Sequence, residues 1–241
     1  MILDSVFDDL RLGLRILLKE RSFCLLAVGV LALGTCGVTT QFSVVNAVLL
    51  RGFSFPESNR LASVEIIDPA RTTAFGVAGQ LTTADFLEFS ATQRSFRKMA
   101  GYLGGSTVNM TIDGEPLRFT GAYVTEDFFA IIGVAPAKGR VFTAAENLPG
   151  APQVALIGHG IWIRDFGGDR DIVNRNVRIN GNAATIVGVM PPGFAFPVNE
   201  QVWIPLFTEF PAQPRSVGNA PGNEIAVLGR SFRPASTPRT R

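Results

Sequence analysis

His159 is the only histidine in the chain and sits in the run Ile157-Gly158-His159-Gly160-Ile161-Trp162. A histidine works as a general base when a carboxylate orients its ring. No neighbouring residue marks a buried acid for that task, so His159 reads as a strand-to-helix turn residue. A zinc site draws on several Cys, His or acidic ligands. The two cysteines, Cys24 and Cys36, lie in an apolar block remote from His159. On a helix they stand about 18 Å apart, too far for a disulfide. Asp165, Asp169 and Asp171 cluster, but Gly167-Gly168 and the interleaved Arg164 and Arg170 describe a charged, solvated turn, and EF-hand spacing is absent. Neither a P-loop nor a G-x-G-x-x-G pattern occurs. The chain is therefore not expected to be an enzyme. No catalytic, cofactor-binding or metal-binding residue is assigned, and any ATP hydrolysis belongs to another polypeptide.

Composition narrows the class further. The net charge is only +2, with 46% hydrophobic residues, so no broad basic field exists to hold nucleic acid. The small positive surplus is local. Residues 229–241 carry Arg230, Arg233, Arg239 and Arg241 with no acid. The preceding stretch is close to neutral.

From Ser22 to Leu50 no residue is charged. About 20 apolar residues cross the hydrocarbon core of a bilayer as a helix, and a soluble core helix rarely stays uncharged on every face for this long. Residues 22–50 are thus expected to form a transmembrane helix and its extension. Arg11, Arg15, Lys19 and Arg21 precede it, whereas only Arg51 and Arg60 follow closely, which places the N-terminus in the cytoplasm. A signal peptide would have a shorter apolar core; Leu33-Gly34-Thr35-Cys36 is a poor lipoprotein box and apolar sequence continues beyond it. The reading is an uncleaved anchor. Gly29, Ala32, Cys36 and Thr40 could form a small-residue face against another helix. Within residues 1–21, Val6, Leu10, Leu14, Leu17 and Leu18 recur at helical spacing opposite Asp8, Asp9, Arg11, Arg15 and Lys19. That pattern predicts an amphipathic helix along the cytoplasmic face of the bilayer or on a cytoplasmic partner.

Beyond the anchor, residues 51–228 read as an α+β domain. A polar connector over 51–60 leads to a strand at 61–67 and a Gly- and Ala-containing loop at 68–80. A helix capped by Thr82 or Thr83 is expected to run through 85–102, with Phe86, Leu87, Phe96 and Met99 on its apolar face. Strands at 106–112 and 117–124 flank Asp113-Gly114, a hairpin signal. A short helix at 126–132 ends at Gly133. A strand at 153–158 precedes a helix at 160–166, and a second hairpin spans 176–180 and 183–189. The run Met190–Pro197 is a proline-punctuated loop before an extended segment at 201–206. Strands and helices alternate without long parallel-type runs, which gives α+β as the fold class. After 210 only 224–228 resembles a strand, and residues 229–241 are expected to be a disordered Arg-rich tail.

Several stretches together resemble one family. These are DDLRLGLRILLKERSF at 8–23, LALGTCGVTTQFSVVNAVLLR at 31–51, FPESNRL at 55–61, DFLEFSATQRSFRKMAGY at 85–102, GAYVTEDFFAIIGVAPAKGRVFT at 121–143, and VALIGHGIWIRDFGGDRDIVNRNVRINGNAATIVGVMPPGFAFP at 154–197. In collinear order over about 5–210, the chain resembles the N-terminal part of MacB/FtsX-type permeases of ABC transporters, most closely the duplicated orphan permeases of acidobacteria. The resemblance implies a first transmembrane helix followed by a MacB-like periplasmic core domain. It implies an inner-membrane location, a separate ABC ATPase subunit as partner, and a homodimer or a periplasmic adaptor as further partners. It also implies a role in export or envelope remodelling. Such permeases continue into three more membrane helices, so the core domain is expected to be incomplete and the end truncated. Two alternatives accompany this reading: a single-pass periplasmic scaffold, or a non-functional remnant.

Overall fold

A computed structural model describes residues 21–45, 60–67, 78–79, 81–212 and 224–232. Of the amphipathic helix expected over 1–21 only Arg21 is described, and most of the connector, most of the expected 68–80 loop, residues 46–50 of the expected anchor and residues 233–241 of the expected tail fall outside the described residues. The chain divides into two compact units, Met1–Ser54 and Phe55–Arg241.

In the first unit, α1 (Arg21–Val45) is a 25-residue helix, about 37 Å long at 1.5 Å per residue. Its described side chains are all exposed, Leu25, Leu31, Leu33 and Val38 among them. Two of its hydroxyls bond within the helix: Thr35 donates to Leu31 O at 2.8 Å and Thr40 to Cys36 O at 2.8 Å. The longest unbroken run of described side chains is 28–43. Among the described residues no helix is long and apolar enough to cross a membrane.

The second unit opens with β1 (Leu61–Val64) and a separate two-stranded ladder, β2 (Ile66–Ile67) with β3 (Ala78–Gly79). Then come β4 (Leu81–Thr82), α2 (Thr83–Thr92), β5 (Phe96–Ile112), β6 (Glu115–Val124) and α3 (Phe128–Ile132). β7 (Lys138–Gly139), a 3₁₀ turn at Ala144–Asn147, β8 (Gln153–Ile157) and α4 (His159–Arg164) follow. The last described elements are β9 (Asn176–Ile179), β10 (Asn182–Val189), β11 (Val202–Pro205), α5 (Leu206–Glu209) and β12 (Glu224–Ser231).

The helix expected over 85–102 stops at Thr92, and its second half is strand. Thr82 caps the start: its hydroxyl oxygen accepts the Asp85 N–H at 3.2 Å, and its O–H donates to Asp85 Oδ2 at 2.8 Å. At the other end the Gln93 amide grips the Phe96 backbone, accepting its N–H at 2.8 Å and donating to its carbonyl at 3.2 Å. That pair turns the chain out of the helix. Phe96 and Met99 then pair with Ser231 and Gly229 of β12. Helical spacing alone could not show this, because the partner strand lies more than a hundred residues away. β12 also extends past the expected 224–228, since Gly229, Arg230 and Ser231 stay in the ladder.

Among the described residues ten strands form one mixed sheet: eight follow the order β1-β12-β5-β6-β11-β8-β10-β7, and β4 and β9 lie off this path, β4 pairing with β12. β9 pairs with both β10 and β5, so the run β5-β6-β11-β8-β10-β9 closes on itself. Closure leaves those strands no free edge. β6–β11 and β8–β10 are parallel; the remaining pairings are antiparallel. Side chains alternate with period 2. Phe119, Tyr123, Ile157, Val202 and Ile204 belong to one core cluster, whereas Ala122, Val124, Leu156 and Trp203, one residue out of phase, belong to another. α3 buries Phe128, Phe129, Ile131 and Ile132 in the second cluster. Both faces of the central strands are therefore covered, which explains why they read as continuous apolar runs such as Val154, Ala155, Leu156 and Ile157.

β5 serves both halves of the sheet by bending. Its register with β6 shifts between Leu103 and Ser106, where Gly105 takes φ +69°, a conformation glycine adopts without steric cost. Before the bulge β5 pairs with β12; after it, β5 closes the ring against β9. The Asp113-Gly114 turn, with φ of 50° and 91°, closes the β5–β6 hairpin as its sequence predicts.

Candidate functional site

His159 caps no triad. It opens α4, its ring packs edge-on to Trp162 at 5.3 Å, and among the described residues no hydrogen bond joins it to an acid. Trp162 donates its indole N–H to Asp169 O at 2.7 Å, with the Lys138 ammonium 5.1 Å from its ring centre. The acidic turn is knitted to arginines. Arg164 makes a two-pronged contact with Asp165 at 2.9 and 2.7 Å. Arg175 bridges Asp169 and Asp113 at 3.3 and 3.0 Å. Among the described residues no group of three His, Cys, Asp or Glu could hold a metal ion. Cys36 is free and exposed on α1.

A buried carboxylate that the sequence reading did not single out organises the bulge in β5. Glu200 is only 2% exposed. Its Oε1 accepts the Gly105 N–H at 2.8 Å and its Oε2 the Val198 N–H at 2.6 Å. The Phe194–Pro197 end of the loop lies against β5 so closely that a Cβ at Gly104 would fall 2.7 Å from Pro197 Cγ. Burial first, then the charges of Glu200 and Glu65, raises the Tyr102 pKa. A glutamate in a proline-rich loop reads as a surface residue in sequence, and only the register shift shows its partners.

Two clefts flank α2. One, about 350 Å³, lies between the helix and the end of β1, with Val64, Leu81 and Phe89 beside Glu65, Asp85 and Glu88. The other, about 430 Å³, lies on the opposite side, where Arg97, Lys98, Gln93, Asp127 and Thr125 meet Phe86 and Phe207. The Lys98 ammonium pairs with Asp127 in it. Neither cleft joins a nucleophile to a base among its described lining residues.

The second unit is an α+β domain built on one mixed sheet with a closed run of strands. The family model for the MacB-like periplasmic core domain matches residues 24–235, and the chain belongs to that family. Solved structures agree on the fold. The extracellular domain of the noncanonic ABC-type transporter YknZ from Gram-positive bacteria superposes with a TM-score of 0.52 at 14% identity, covering 72% of this chain and 84% of that one. The periplasmic region of MacB from Actinobacillus actinomycetemcomitans gives 0.52 at 12% identity, covering 72% and 75%. A domain of a permease protein from Porphyromonas gingivalis gives 0.55 at 18% identity, covering 77% and 80%. No curated protein matches the sequence.

Proposed function

We propose that this chain is a membrane-anchored part of an ABC transporter permease whose core domain, on the periplasmic side, couples a separate cytoplasmic ATPase to export or envelope remodelling. The observation that carries the reading is the family match across 24–235, which starts inside the uncharged segment Ser22–Leu50. Two physical features support the anchor. α1 exposes Leu25, Leu26, Val28, Val30, Leu31, Leu33, Val38 and Phe42, apolar area that water would penalise at roughly 25 cal/mol per Å². The Thr35 and Thr40 hydroxyls are bonded to their own helix, as a lipid environment favours. The basic residues before the segment set the N-terminus in the cytoplasm, where residues 1–20 meet the ATPase. A second copy of the chain or a periplasmic adaptor would complete the assembly.

The test is co-purification from a bacterial membrane. The full chain should recover an ABC ATPase, and deletion of residues 1–20 should abolish that recovery while the chain stays in the membrane fraction. Equal recovery by both forms, or none by either, contradicts the coupling role.

A further inference from the structure

The cleft between β1 and α2 joins apolar depth to an acidic rim. Val64, Leu81 and Phe89 line it together with Glu65 and Glu88. Phe89 is 39% exposed at its mouth. Asp85 is engaged in the cap of α2; among the described residues Glu65 receives the Ser63 hydroxyl at 3.3 Å, and no ion pair from them reaches Glu65 or Glu88. No lysine or arginine lines this cleft among the described residues, whereas Arg97 and Lys98 line the one across the helix. The carboxylates do not converge as metal ligands would. They are spread around an apolar centre, a pattern that matches separated cationic side chains flanking an apolar one.

We propose that this cleft docks a cationic amphipathic segment of a partner protein. One apolar side chain of that segment enters against Leu81 and Phe89, and its Lys or Arg side chains meet Glu65 and Glu88. Charge complementarity selects the partner and sets the encounter rate, while the buried apolar side chain fixes the position. A cleft of this size accommodates a short motif rather than a full protein face. The inference is independent of the ATPase coupling.

The experiment uses the full chain in phosphatidylcholine nanodiscs and a fluorescein-labelled 14-residue peptide of alternating Leu-Leu and Arg-Arg pairs, with empty nanodiscs as background. Fluorescence anisotropy should show saturable binding above background that weakens as salt rises. The double variant E65K/E88K, at two exposed positions, should weaken it by about tenfold or more. F89S should weaken it with the salt dependence kept. E115K, a single charge reversal on the β5–β6 turn, should bind within about twofold of the parent. Unchanged melting temperatures establish that each variant is folded. No binding above background, equal binding by E65K/E88K and the parent, or equal weakening by E115K would each overturn the proposal.

Discussion

Glu200 shows how one side chain can hold two distant segments. Among the described residues no cation reaches this buried carboxylate, and it accepts two backbone N–H groups, those of the exposed residues Gly105 and Val198. Water can replace part of what each donor loses, so the two bonds contribute about 0.5–1.5 kcal/mol each. Glu200→Ala should therefore lower stability by about 1–3 kcal/mol, read as the urea midpoint of the chain in detergent. A change below about 0.5 kcal/mol would mean the loop is held by Pro197 packing instead. Glu146 supplies a pH-dependent case. Its hydrogen bonds from Arg140, at 2.8 and 2.6 Å, together with those from Thr143, outweigh burial and depress its pKa to about 2. The folded value lies below the ordinary 4.5, so the stabilisation is complete above about 4.5 and is lost as pH falls through about 2. Arg140 is half exposed, and solvent screening reduces the contribution to about 1 kcal/mol. Arg140→Ala should remove about that much at pH 7 and much less at pH 2, by paired urea titrations. An equal loss at both pH values would contradict the ionic account.

The elements depart from sequence expectation where local pattern and long-range pairing conflict. Hairpins closed by Asp113-Gly114 and by Asn180-Gly181 are written in their turns, and both strand pairs form. Gly133, at φ 72°, ends α3 as its sequence suggests. Phe96 and Met99, by contrast, have helical spacing from Phe89 and Thr92 yet lie in β5, because β12 offers them a ladder. Ring closure through β9 is likewise invisible in sequence: it needs the Gly104-Gly105 bend, and nothing within Asn176–Ile179 names Met110 as its partner. The clefts beside α2 were illegible for the same reason, since each assembles side chains from separate elements. Closure also tightens the packing. A Cβ on Gly121 would lie 2.4 Å from Val108 Cγ2 and 3.0 Å from Val202 O. Gly121→Ala should cost about 1–3 kcal/mol by overpacking between β5 and β11. Adding Val108→Ala should return part of that loss, a coupling that a double-mutant cycle measures. Strict additivity would show that the two side chains do not meet.

For the whole molecule, the uncharged segment was the most legible feature of the sequence, and the family resemblance fixed the domain that follows it. The described polar clusters bond to one another and to the backbone of loops and turns. The proposed role requires the domain to stand on the periplasmic side of the bilayer. That placement is tested most directly by labelling single cysteines in intact cells. In a full chain with Cys24 and Cys36 replaced by alanine, the variants I2C and E115C are treated with a membrane-impermeant maleimide, with the outer membrane opened and the inner membrane intact. The account predicts labelling at position 115 before the inner membrane is broken and at position 2 only afterwards. Protection of position 115 until lysis, or immediate labelling of position 2, would contradict it.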